Sequence, residues 1–131
     1  MSTIVRTGYL AKTPELRHNQ EGRAYTFARV IVTDRIRTDQ GEWEDGATIG
    51  YDVAVKGSQA EELVATAKAN GNIGVIFAGD YRVRRYAPEG GEARDVHEVR
   101  NAIIGASFGG QSVTVEKRSR SENDDGDDTP F

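Results

Sequence analysis

Residues 81–86 read YRVRRY, cations and aromatic rings interleaved at the end of a strand-like stretch. Strand side chains alternate between two faces, so Arg82, Arg84 and Tyr86 share one of them, with Arg85 beside them in sequence. A guanidinium can hold a phosphate and a flat ring can stack on a base. Together these are what a sequence-tolerant grip on a single nucleic-acid strand requires. Arg94 and Arg100 lie in the following strand-like stretch, and Arg35 and Arg37 end an earlier one. The same arginines could instead pair with Asp80, Glu92, Asp95 and Glu98 as solvated strand faces do, and residue types alone do not separate the two readings.

No other chemistry competes. His18 and His97 fall in a polar loop and within a strand, and neither has a second histidine at metal-ligand spacing. GNIG at 71–74 lacks the Lys-Ser/Thr of a phosphate loop, and no Gly-x-Ser-x-Gly occurs. Asp34 with Asp52, or Glu42 with Glu44, are ordinary solvated carboxylates unless a pocket surrounds them. The expectation is a protein without catalysis, metal or cofactor.

The elements that must position these residues are mostly strands. Fifteen glycines against three prolines favour short strands joined by turns. Residues 3–11, 25–37, 49–57, 73–86 and 93–106 read as five strands. Residues 39–46 (DQGEWEDG) form a turn-rich loop carrying Trp43, whose ring either anchors the loop or contacts a base. A helix starts near Ser58, which stands three before Glu61 at capping-box spacing. It presents Ala60, Leu63, Val64 and Ala67 on one face, and Asn70-Gly71 ends it. The order β-β-β-α-β-β predicts an all-β fold with one helix, a five-stranded Greek-key barrel of the OB type over residues 1–116.

Residues 117–131 are expected to be a disordered tail. The net charge of −4 conceals this division: residues 122–131 hold five acids and no base, whereas residues 1–121 hold 17 basic against 16 acidic groups. The last residues, Asp124, Asp125, Asp127, Asp128, Pro130 and Phe131, place a terminal ring and an α-carboxylate behind a run of acids. A partner could take that tip with an apolar pocket beside an arginine or lysine. The chain has no cysteine, no run of about 18 apolar residues and no signal-like start, so a cytoplasmic, nucleoid-associated protein is expected, with no membrane contact.

Taken together, TGYLAKTPELR at 7–17, GEWEDG at 41–46, GSQAEELV at 57–64, GVIFAGDYRVRRY at 74–86, EVRNAIIGA at 98–106 and the terminal DDTPF make the chain resemble the bacterial single-stranded DNA-binding protein family. The resemblance implies an OB-fold, assembly as a homotetramer, wrapping of single-stranded DNA, and a tail tip that docks replication, recombination and repair proteins. It implies a stacking role for Tyr86 and phosphate contacts from Arg82, Arg84 and Arg85. Elsewhere the family's rings are replaced, by Ile36 and Arg37, by Gly50 with Tyr51 beside it, and by Lys56 before Gly57. Tyr51 is then expected on the opposite strand face, as a core or subunit contact. With about 1–3 kcal/mol per stacking ring, binding should be weaker and more salt-sensitive than in a typical member, with Lys56 and Arg37 as added phosphate contacts. The alternative is an oligomeric scaffold module that has lost most DNA affinity.

Overall fold

A computed structural model describes residues 2–118. The chain runs β1 (Ser2–Leu10), β2 (Arg17–His18), β3 (Ala24–Arg37), β4 (Trp43–Lys56), α1 (Ser58–Asn70), β5 (Gly74–Tyr86) and β6 (Arg94–Ala106). The sheet order is β1-β5-β6-β4-β3, and Tyr9 and Leu10 of β1 return to Ile31 and Val30 of β3, closing five strands into the expected OB-type barrel. Among the described residues β4 and β6 are the one parallel pair, joined over residues 51–53 against 97–99. Alternation sends Ala28, Val30, Val32, Val53, Val55, Val75, Phe77 and Val99 inward, and Ala60, Leu63 and Ala67 of α1 pack onto them. Where β1 crosses β3, Gly8 leaves no room for a side chain: a Cβ there would lie 2.9 Å from Val32 Cγ2 and against the Ile31 carbonyl.

Three local expectations need correction. Half of the expected loop at 39–46 is strand, because β4 begins at Trp43 and pairs back to Arg37. Composition misled here: the polar residues are those of an exposed hairpin, and Ile36 covers Gly46 so closely that a Cβ would lie 2.5 Å from Ile36 Cδ1. The loop shrinks to residues 38–42, closed by Thr38 N donating to Glu42 O at 2.7 Å. Within the expected polar loop before Gly22, Arg17 and His18 form a two-residue ribbon on Tyr25 and Ala24. The capping box is absent as well, since Gly57 is the N-cap and Ser58 is already helical. Gly57 N donates to Ala24 O at 2.8 Å, and its φ of 70° turns the chain from β4 directly into α1.

One end of the barrel is polar. Arg6 is ion-paired to Asp34 and donates to the Tyr51 hydroxyl at 3.4 Å. The His97 ring lies parallel to that of Tyr81, and His97 Nδ1 shares a 2.6 Å hydrogen bond with the Tyr81 hydroxyl. Burial, then the neighbouring Tyr51 and Asp95, hold the Tyr81 phenol above its ordinary value, keeping it neutral. Tyr51 is buried in the core, as its expected strand face implied.

Beyond β6 the chain is tied back to the barrel. Gln111 donates to Gly74 O at 2.8 Å and to Ser107 O at 2.5 Å, and accepts from Gly74 N at 3.0 Å. Arg118 grips Glu62 of α1 through Nε at 2.7 Å and Nη2 at 3.2 Å. The docking residues Asp124, Asp125, Asp127, Asp128, Pro130 and Phe131 lie outside the described residues.

Candidate nucleic-acid interface

Two hairpins project the predicted residues apart from Lys56, which ends β4 at its far end opposite Tyr25, and each hairpin sets a cation opposite a ring. In the β5–β6 hairpin Tyr86 pairs with Arg94, whose guanidinium lies 5.3 Å from the ring centroid in a cation–π contact over one face of an exposed ring. In the β3–β4 hairpin Arg37 pairs with Trp43, which is 59% exposed. Directly opposite residues of an antiparallel pair share a face, so Arg37 and Trp43 lie side by side on one face of the hairpin. Trp43 is therefore held at a strand end, and the two opposed roles its loop position left open reduce to an exposed ring.

The cations differ in how free they are. Arg82 and Arg84 both direct Nε to Glu98 Oε1, at 3.4 and 3.2 Å, and Arg100 Nη2 reaches the other oxygen at 4.0 Å. Glu98 is the most enclosed member of this group, with 18% of its side chain exposed, and it gathers three guanidiniums on the outer face. Arg85 alternates to the other face and meets Asp95 at 3.4 Å; Arg35 meets Asp45 at 3.3 Å. Among the described residues, Arg37, Lys56 and Arg94 have no carboxylate partner. The reading in which strand arginines pair with neighbouring acids thus holds for Arg82, Arg84 and Arg85, with Glu98 and Asp95 as the acids. Such exposed pairs are worth only about 0–1 kcal/mol, so a phosphate can take the place of the carboxylate at small cost.

Several residues of this face were not singled out by sequence. Arg29 lies across Gly50, where a Cβ would fall 2.6 Å from Arg29 Nη2, and bonds Asp52 at 2.9 Å. The position where an aromatic was expected is thus occupied by a guanidinium from the next strand. Phe27 is 59% exposed, with Tyr25 edge-on to it at 5.9 Å. Alternation along β3 puts Tyr25, Phe27 and Arg29 on one face; only closure of the barrel shows that it is the outer one. Among the described residues no group of three or more metal-ligating side chains occurs, and no helix is long and apolar enough to cross a membrane.

Comparison with known proteins agrees with this geometry. The sequence model described as the Single-strand binding protein family matches residues 1–106. The single-stranded DNA-binding protein of Mycobacterium tuberculosis (strain ATCC 25618 / H37Rv) is 36% identical over 121 residues, covering 92% of this chain and 73% of the relative. That of Mycobacterium leprae (strain TN) is 35% identical over 121 residues, covering 92% and 71%. Among solved structures, a small single-stranded DNA-binding protein from Streptomyces coelicolor superposes with a TM-score of 0.65 at 25% identity, covering 82% of this chain and 94% of that one. The Plasmodium falciparum protein in complex with single-stranded DNA gives 0.57 at 12% identity, covering 79% and 92%, and shares the fold. With the whole barrel matched by one sequence model and nine-tenths of the chain by relatives above 30% identity, this chain belongs to the Single-strand binding protein family.

Proposed function

We propose that the protein binds single-stranded DNA without catalysis, phosphates lying on the outer-face arginines and bases stacking on Tyr86 and Trp43. The observation that carries this is the pair of hairpins, each with an arginine that has no carboxylate partner among the described residues set opposite an exposed ring, on a barrel of this family. Arg37, Lys56 and Arg94 hold phosphates first; Arg82, Arg84, Arg85 and Arg35 join by exchanging a carboxylate for a phosphate. Assembly as a homotetramer is part of the reading, supported by Val5 and Tyr9, which leave a large apolar area exposed on β1. The tail tip, Asp124, Asp125, Asp127, Asp128, Pro130 and Phe131, recruits replication, recombination and repair proteins.

Trp43 is the only tryptophan, so its fluorescence reports on one site. Titration with oligo-dT at low and high salt should quench it at low salt and release it as salt rises. No binding at low salt would overturn the reading in favour of an oligomeric scaffold with lost DNA affinity, a role for which the carboxylate-bound arginines speak. Tight binding unchanged by Tyr86→Ala would overturn the site assignment alone.

A further inference from the structure

β4 and β6 separate beyond their short parallel pairing. At Asn101 the chain takes a φ of 51°, opposite a register shift between Ala78 and Asp80 of β5, and Asn101 Nδ2 bonds Asp80 Oδ2 at 3.1 Å. The parallel pairing stops at Val53 and Val99, and an open groove of about 570 Å³ lies beyond it. One wall is Tyr25 and Phe27 with Lys56; the other is Arg100 and Ile103. Gln59 of α1 ends it, accepting from Ile104 N at 3.0 Å.

This groove has the rings that the chain lacks at positions 36, 50 and 56, and a cation beside them. It offers rings: Phe27 stands opposite Ala54, too small to cover it, and is braced edge-on by Tyr25, so little side-chain freedom remains to be lost on stacking. It also offers charge: Lys56, opposite Tyr25, has no carboxylate partner among the described residues, while the two acids of the lining are already engaged, Asp52 by Arg29 and Glu98 by Arg82, Arg84 and Arg100. A volume of this size suits a small ligand, or one or two nucleotides of a strand.

We infer that Tyr25 and Phe27 form a base-stacking platform in the β4–β6 groove, taking one or two bases of single-stranded DNA while Lys56 and Arg100 hold the flanking phosphates. The inference rests on the proposed function and adds residues to it. The platform lies on β3, one strand over from Gly50 and Lys56 of β4, so rings lost from β4 are regained beside it.

The test is titration of the full chain and of Phe27→Leu, Phe27→Ala and Tyr25→Ala with oligo-dT over a range of salt, alongside sedimentation of each protein. A stacking ring removed should weaken binding about 5- to 150-fold at every salt concentration and leave the slope of log K against log salt unchanged, because rings release no counterions. Phe27→Leu keeps the apolar bulk and the fold, and should lose nearly as much as Phe27→Ala. Affinity retained in Phe27→Leu, or a variant that falls apart into smaller assemblies, would overturn the platform, the second outcome assigning these rings to a contact with another copy of the chain. Failure of the unaltered chain to bind would instead overturn the proposed function.

Discussion

Glu98 decides how much of the outer-face charge is available. Its carboxylate holds Arg82, Arg84 and Arg100 together, so replacing it with Gln removes one negative charge and loosens three cations at once. Glu98→Gln should raise affinity for oligo-dT severalfold at low salt and steepen the salt slope by about 0.7 for each further phosphate engaged. Its cost in folding stability should stay within about 1 kcal/mol, as for exposed ion pairs. Unchanged affinity and slope would show that these arginines do not meet the strand. Tyr86→Ala should have the complementary signature, weaker binding by about 1–3 kcal/mol with the slope kept, read in the same titrations. Arg82, Arg84, Tyr86 and Arg94 were legible in the sequence because period-two alternation and cross-strand pairing place them without knowledge of the core. Phe27 was not: an aromatic between Thr26 and Ala28 in a strand-like stretch reads equally as core, and its exposure follows from which face the barrel closes upon.

At the scale of elements, the order of strands and the buried face of α1 could be read from periodicity, which reports burial directly. The start of β4 could not, because residues 43–48 are held by pairing with β3 and not by burial. The same limit hid the role of Gly57: a serine followed by a glutamate three residues later looks like a cap, but the hydrogen bond from Gly57 to Ala24 exists only once β3 and β4 are joined. Closure of the barrel likewise depends on Gly8, whose side-chain space is filled by β3. Gly8→Val should lower stability by about 2 kcal/mol or more, through the overpacking that any added bulk imposes there. Urea unfolding should show a lower midpoint with the slope preserved. An unshifted midpoint would mean that β1 can leave β3 without penalty, so that the contact at residues 9–10 does not hold the barrel shut.

For the whole molecule the governing quantity is the division of charge between the barrel and the last ten residues. The chain reaches Arg118 anchored, since the guanidinium holds the Glu62 carboxyl below its ordinary value against a weaker opposing effect of burial. A carboxyl with a depressed pKa stabilises its contact above the unfolded pKa and loses it as pH falls through the folded one. The Glu62–Arg118 tie should therefore persist at neutral pH and open only below the ordinary carboxylate range. An NMR titration of the Glu62 carboxyl carbon checks this, with Arg118→Gln restoring an ordinary titration. Beyond that anchor stand the five acids of residues 122–131, which turn a body of 17 bases and 16 acids into a chain of net charge −4. Under the proposed function these acids compete with phosphates for Arg37, Lys56 and Arg94, and they slow the approach of a polyanion. Removing residues 122–131 should then speed association with oligo-dT and tighten binding at low salt. The gain should fade as the Debye length shrinks from about 30 Å at 0.01 M to about 3 Å at 1 M. Deleting only Asp127–Phe131 should abolish recruitment of partner proteins while affinity for the strand is kept or raised. A fall in affinity after either deletion would mean that the tail supports the grip on DNA and does not compete with it.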